Sequence, residues 1–126
     1  EKFNTTTNAN LCYYRAPFTG LYQFEAHILI EDTGDYTSGD RMDLRFYYGA
    51  GSSTIPQTDY IPILFIVGQT TTTNQFRALF GSTQIYLNAD DKVFIKVFNG
   101  TGQTQNTYNG TGDWVRFSGR LVQRTQ

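Results

Sequence analysis

Apolar and polar residues alternate with a period of two along much of this chain, which is typical of β-strands that bury one face. The clearest example is GLYQFEAHILIE at 20–31, where almost every second residue is apolar or aromatic. Gln23, Glu25 and His27 occupy intervening positions, so we expect them to face solvent. Helical spacing fits this segment poorly, and we predict a strand.

The segment RMDLRFYYG at 41–49 alternates in the same way and is also a predicted strand. The loop EDTGDYTSGD at 31–40 precedes it and is rich in glycine and aspartate, which favour turns. We expect one face of the strand to carry Met42, Leu44, Phe46 and Tyr48, and the other to carry Asp43, Arg45 and Tyr47.

Four further segments are predicted strands: DYIPILFIVG at 59–68, FRALFGSTQIYL at 76–87, KVFIKVFNG at 92–100 and WVRFSGRLVQ at 114–123. The first is apolar on both faces, and Pro62 favours an edge position or a bulge because proline cannot donate to a ladder. Gly81 is a candidate break in the second. The loop at 101–113 has room for a short strand around Tyr108. No helical segment separates these strands, so the pattern predicts an all-β sandwich or barrel.

Composition narrows the classes of partner. A chain of 126 residues fits one domain, which we predict over 1–126. The net charge of -1 does not favour a nucleic-acid or anionic-membrane partner. No signal peptide or membrane-spanning stretch is visible, so we expect no membrane insertion. The chain begins at Glu1, and we interpret it as the C-terminal part of a longer chain or a processed product.

Three ordered motifs resemble one family. They are YRAPFTGLYQFEAHI at 14–28, LNADDKVFIKVF at 87–98 and FSGRLV at 117–122. The first has the form aromatic-x-Ala-Pro-x-x-Gly-x-Tyr-x-Phe. In order and spacing the set resembles the globular heads of the complement-q and tumour necrosis factor superfamily. The sequence departs from that pattern at Asp90, where the family usually has glycine, and at Arg120, where it usually has an aromatic or aliphatic residue. No collagen-like repeat is present.

The resemblance implies a jelly-roll sandwich of about ten strands that assembles as a homotrimer. Members of this superfamily are non-enzymatic recognition heads on trimeric stalks, and they bind receptors, glycans or proteins. The Thr-, Asn- and Gln-rich composition and the phrase APFTGLYQF are similar to versions of this domain at the tips of bacteriophage fibres.

Alternation in KVFIKVF gives an independent argument for a trimer. Phe94, Lys96 and Phe98 lie on the face opposite Val93, Ile95 and Val97. Two phenylalanines on an outer face would form an exposed apolar patch in a monomer, and Tyr47 is in the same position on its own strand. We therefore predict a trimer interface that includes Tyr47, Phe94 and Phe98; a loop of the same chain covering them is the alternative.

The sequence gives little support for catalysis. Cys12 and His27 are the only residues of their kinds, so zinc lacks its usual ligands and no disulfide can form within the chain. Nothing links His27 to a nucleophile, and we predict a protein that is not an enzyme. Calcium is the only metal ion for which the sequence offers candidate ligands, because the loop with Asp32, Asp35 and Asp40 carries several carboxylates. The alternative is an acidic loop that is only solvated.

Adjacent Asp90 and Asp91 raise the question of a metal or catalytic site. They stand just before the strand KVFIKVF, where the family pattern has a turn, and Asp91 matches the aspartate of that pattern. A short acidic side chain there can accept backbone N–H bonds and hold the turn. We predict a structural role for both.

Binding is the remaining class of function, and loops carry it on rigid β scaffolds. Tyr36, Tyr60 and Tyr108 lie in or beside the three longest polar loops, where each could contact a ligand or fold back as an anchor. Three Asn-x-Thr sequons, at Asn4, Asn99 and Asn109, could carry glycans in a secretory pathway, although chance accounts for them equally.

We thus expect a trimeric head at the distal end of a viral or phage fibre, extracellular or on the virion surface, that contacts a host-surface glycan or protein. A secreted complement-q-like or cytokine-like head and a purely structural trimerisation cap are the alternatives.

Overall fold

The computed structural model describes residues 3–4, 13–31, 41–49, 60–66, 76–100, 102, 106–107 and 115–125. These ranges are all-β and form two antiparallel sheets compatible with a β-sandwich. They contain no helix with the length and hydropathy needed to cross a bilayer.

Nine strands follow one another along the described ranges. They are β1 (Phe3–Asn4), β2 (Tyr13–Arg15), β3 (Gly20–Glu31), β4 (Arg41–Gly49), β5 (Tyr60–Ile66), β6 (Phe76–Leu87), β7 (Lys92–Asn99), β8 (Asn106–Thr107) and β9 (Val115–Arg124). The five-stranded sheet has the order β1-β2-β7-β4-β5. The second sheet, called here the β3-centred sheet, has the order β6-β3-β8, and β9 also pairs with β3.

Strand β3 organises its sheet because both of its edges are used. It pairs with β6 along its full length, from Gly20 opposite Leu87 to Glu31 opposite Phe76. Its other edge pairs with β9 over the first part and with β8 over the last two residues. Ladder bonds on both sides satisfy the backbone groups of β3, so this strand can be buried between its neighbours.

The ladders are nested in the sequence. Strand β4 pairs with β5, β3 pairs with β6, and β2 pairs with β7, so each pair encloses the one before it. Consecutive strands belong to different sheets at five places: between β2 and β3, β3 and β4, β5 and β6, β6 and β7, and β7 and β8.

The core lies between the sheets and follows the period-two alternation. From β3 the buried side chains are Tyr22, Phe24, Ala26, Ile28 and Ile30. Facing them from the five-stranded sheet are Tyr14, Met42, Leu44, Phe46 and Val93. Leu79, Ile85 and Leu87 of β6 complete the same layer. The predicted inward residues of the segments at 20–31 and 41–49 are thus confirmed as core, with Tyr48 partly buried against it.

Phe24 is the central aromatic residue of this core. Its ring stacks on Phe117 at a centroid distance of 6.0 Å and meets Tyr14 edge to face at 5.3 Å. A Cβ built on Gly119 would overlap the Phe24 ring, and a Cβ on Gly20 would overlap the backbone carbonyl of Gln123. Both glycines therefore allow β9 to pack closely against its neighbours.

The strand predictions are largely confirmed. Segments at 20–31, 41–49 and 76–87 match β3, β4 and β6 residue for residue, and a short strand does occur at 106–107. Pro62 lies in β5, at the end of the described five-stranded sheet. The predicted break at Gly81 is wrong, because β6 continues through it, paired with Ala26. Strand β2 was not predicted, since three residues are too few to show a period.

We expect Gly119→Ala to lower the free energy of unfolding by about 1–3 kcal/mol, because overpacking forces the buried Phe24 ring to move. Ser118→Ala is the matched control, since residue 118 lies on the opposite face of the same strand. Urea unfolding of both variants measures the effect. Equal stability of the two variants would contradict the close contact.

Candidate functional site

The pair Asp90 and Asp91 forms the turn between β6 and β7. The Asp91 carboxylate accepts the backbone N–H of Asn88 at 2.8 Å. Asp90 has a φ of 73°, in the left-handed region that favours glycine, and its N–H donates to the carbonyl of Ala16 at 2.7 Å. Its carboxylate pairs with Arg15 at 2.7 Å, and both side chains are more than half exposed. These contacts support the structural role predicted for both aspartates.

A charged cluster lies on the outer face of the five-stranded sheet. The Asp43 side chain is 0% exposed and lies between two arginines of its own strand. Arg41 donates to Asp43 through Nε at 2.6 Å and also through Nη2. Arg45 donates to Asp43 Oδ2 through Nη2 at 2.8 Å. The hydrogen bond from Arg41 and then that from Arg45 hold the pKa of the Asp43 carboxyl below its ordinary value, while burial acts in the opposite direction.

Next to this cluster, aromatic rings and cations alternate. Arg45 lies 4.3 Å above the ring of Phe98, which remains 41% exposed. Tyr47 and Phe94 stack on one another at 5.2 Å, and Lys96 lies over both rings. Cations over aromatic faces stabilise such an arrangement by about 0.5–1 kcal/mol each at exposed sites.

Two of the three residues predicted for the trimer interface are buried within a single chain. Tyr47 and Phe94 are buried within a single chain, so they do not form the exposed patch that we expected of them. Only Phe98 of the three has the predicted exposure. Whether these residues contact another subunit stays a prediction, but exposure supports it for Phe98 alone.

The outer face of the β3-centred sheet is more open. Cross-strand pairing places Phe80, His27 and Arg116 in one row across β6, β3 and β9. The next row along carries Glu25 between Ser82 and Ser118. An open depression of about 450 Å³ lies between these rows. Phe80 is 71% exposed, the largest value among the exposed large apolar residues of the described part.

The polar side chains of this face include His27, Glu25, Ser82 and Ser118. Within the described ranges, no hydrogen bond joins His27 to Ser82, Ser118 or Glu25. No group of three or more His, Cys, Asp or Glu residues in those ranges could hold a metal ion. The face instead combines an exposed ring, an acid and bases, which suits contact with another surface.

Several predicted site residues lie outside the described residues. These are the loop tyrosines Tyr36 and Tyr108 and the calcium candidates Asp32, Asp35 and Asp40. Tyr60 is the first residue of β5, and its backbone pairs with Tyr47 in the ladder. The role predicted for the three loop tyrosines stays a prediction.

Sequence reasoning missed other surface residues. Phe80, Arg116 and Arg120 occupy outward positions of their strands, and the signal that could have found them is the parity of each strand combined with its cross-strand register. The segment at 76–87 is a predicted strand, but it has apolar residues at both odd and even positions, so the pattern does not separate its outward residues from its inward ones.

Comparisons of this chain with protein-family models, curated proteins and solved structures found no match. The resemblance to the complement-q and tumour necrosis factor superfamily therefore depends on the three sequence motifs. It stays a prediction.

We expect Asp43→Asn to lower the free energy of unfolding at neutral pH by about 2–4 kcal/mol, because it leaves two arginine contacts without a buried carboxylate. Because the folded-state pKa of Asp43 is lowered, its stabilisation is complete above the ordinary value of 3.8 and is lost as the pH falls through the folded value. Urea unfolding of both proteins across acidic and neutral pH measures this. A stability difference that does not shrink at low pH would argue against it.

The left-handed conformation of Asp90 predicts a difference between two substitutions. Asp90→Gly should leave stability unchanged or raise it by up to about 1 kcal/mol, because glycine adopts positive φ freely. Asp90→Ala should lower the free energy of unfolding by about 1 kcal/mol, because the Cβ of alanine lies too close to a backbone carbonyl oxygen in the left-handed conformation. Both remove the ion pair with Arg15, so thermal unfolding of the two isolates the backbone effect. An alanine variant as stable as the glycine variant would refute the assigned turn geometry.

Proposed function

We propose that this chain is a non-enzymatic, homotrimeric recognition head with a jelly-roll fold, at the distal end of a viral or phage fibre. In this role it contacts a glycan or protein on the host surface, outside the cell. The observation that carries the proposal is the open outer face of the β3-centred sheet, taken with the nested strand order.

The nested ladders support the jelly-roll part of the proposal. Three pairs, β4 with β5, β3 with β6 and β2 with β7, enclose one another and alternate between the two sheets. A jelly roll is a double sheet built from two Greek keys, and this order of pairing is what such a fold requires. The described strands number nine, close to the ten expected from the resemblance.

The motif residues have specific structural roles, which supports the resemblance. The Tyr22 hydroxyl donates to the carbonyl of Phe18 at 2.6 Å and accepts the N–H of the same residue, so it fixes the connection between β2 and β3. Ala16 is fully buried and exchanges backbone hydrogen bonds with the Asp90–Asp91 turn. The first and second motifs are thus joined in space.

The outer face of the β3-centred sheet supports assembly. Phe80 exposes a large apolar ring on this face. Arg116 and Arg120 form no ion pair with Glu25 or another acid in the described part of the chain. An acid and bases on one face can pair between subunits arranged head to tail around an axis. We therefore place the subunit contact on this face, with Phe98 as the remaining candidate of the five-stranded sheet.

Light scattering of the purified chain tests the assembly. We expect about three times the chain mass of 14.3 kDa at micromolar concentration. Phe80→Ser should shift the population toward monomer, because it removes the most exposed ring from the proposed contact, a loss of about 1.5–3 kcal/mol per buried side chain. The matched control is Phe18→Ser, which removes an exposed ring at the end of the sandwich.

The outcomes separate the elements of the proposal. A monomeric wild-type protein would refute the trimer. A trimer that Phe80→Ser leaves intact but Phe98→Ser dissociates would move the contact to the five-stranded sheet. A stable trimer that binds neither host cells nor glycans would favour the structural cap.

A further inference from the structure

A second open depression, of about 430 Å³, lies at one end of the sandwich. The connection between β2 and β3, the turn between β6 and β7 and the end of β9 surround it. Its side chains include Phe18, Thr19, Tyr86, Arg124 and Thr125. A volume of this size falls within the range of small-ligand sites, about 300–1,000 Å³.

Two aromatic rings are exposed in this depression. Phe18 is 43% exposed and Tyr86 is 55% exposed. The threonine hydroxyls of residues 19 and 125 lie beside them. Exposed ring faces next to hydroxyl groups suit a ligand that presents both C–H and O–H groups, as a sugar ring does.

Arg124 supplies a positive charge to the same place. Its guanidinium carbon lies 4.3 Å from the centroid of the Phe18 ring, so one face of the guanidinium packs on that ring. It forms no ion pair in the part of the chain that the structure describes. In the turn between β6 and β7, Asp90 pairs with Arg15 and Asp91 accepts the N–H of Asn88, and neither side chain lines the depression. The edge of the guanidinium therefore keeps donors for a carboxylate.

The walls of the depression are held in place by hydrogen bonds from three elements. Tyr22 holds the backbone of Phe18. The Thr19 carbonyl accepts the N–H of Thr125 at 3.2 Å, and the Thr19 hydroxyl accepts the N–H of Ala89 at 3.0 Å. The hydroxyls of Tyr86 and Thr125 lie 3.0 Å apart. Pre-ordered walls lower the entropy lost on binding.

We propose that this depression binds an acidic saccharide. The carboxylate pairs with the free edge of Arg124, and the C–H face of the sugar ring packs on Tyr86 and Phe18. The assignment rests on the recognition role proposed above and names the class of ligand. Three such sites on one trimer raise the overall affinity for a repeated surface glycan through avidity, so each site can be weak.

The test is an NMR titration of the isotope-labelled 126-residue chain with three probes. Sialyllactose and an oligogalacturonate each carry a carboxylate on a sugar ring, and lactose is the neutral control. We expect shift changes confined to 17–19, 86–89 and 124–125 with one or both acidic probes, and affinity at least about tenfold weaker for lactose. The two acidic probes distinguish a sialic acid from a uronic acid.

Substitutions of Arg124 test whether this side chain binds the carboxylate of the acidic probes. Arg124→Gln should weaken acidic-probe binding about tenfold or more, and Arg124→Lys should weaken it less, because lysine keeps the charge but loses the fork of donors. Lys96→Gln makes the same change in charge on the other sheet and should leave affinity within about twofold. An unchanged fingerprint spectrum outside the site verifies that each variant is folded.

Each contrary outcome has one meaning. Binding that survives Arg124→Gln, or shifts on another surface, overturns this site but leaves the recognition role. Equal affinity for lactose and the acidic probes overturns the class of ligand. If no probe shifts the spectrum while the trimer still binds host cells, the acidic-saccharide site is wrong and the recognition role stands. If the trimer also binds no cells, both fail.

Discussion

The contact between Phe24 and Gly119 is the constraint on which the sandwich depends. The Phe24 ring is fully buried and touches aromatic rings from both sheets, Tyr14 on one side and Phe117 on the other. It can occupy that place only because residue 119 has no side chain. Strand β9 thereby lies close enough to β3 to form a ladder, and that ladder in turn places Arg116, Arg120 and Arg124 on the surface. The core and the surface chemistry thus have one common cause.

Alternation was enough to predict the long strands but not how they are arranged. A twelve-residue run such as β3 shows its period clearly, and its inward residues followed directly. The break predicted at Gly81 failed because a residue without a side chain costs a strand little when the ladder on β3 holds it in place, opposite Ala26. Pairing of β2 with β7 and of β3 with β9 joins residues far apart in sequence, and no local pattern contains that information. Only the resemblance suggested a particular order of strands.

The candidate sites show a similar division. The role of the Asp90–Asp91 turn was readable, because turn chemistry is local. Tyr47 and Phe94 were expected to be exposed because alternation assigns a face but says nothing about what covers it. The opposite error applies to Phe80, an outward ring that the sequence alone could not distinguish from a core residue. Net charge was also uninformative, since a total of -1 hides the separation of arginines on β9 from the acids elsewhere.

The specified and unspecified positions of the first motif have different structural roles. Its specified positions build the scaffold: Ala16 is buried against the β6–β7 turn, Gly20 admits β9, and the Tyr22 hydroxyl fixes the loop backbone. Its two unspecified positions before the glycine are Phe18 and Thr19, and both line the depression at the end of the sandwich. Thr19 also belongs to the scaffold, because its hydroxyl accepts the N–H of Ala89, so Phe18 is the unspecified residue whose side chain faces the proposed site without a structural hydrogen bond. Under the proposed recognition role, a change of the Phe18 side chain can alter what is bound without disturbing the backbone bonds that hold the loop, which is the property that a recognition surface on a rigid β framework needs.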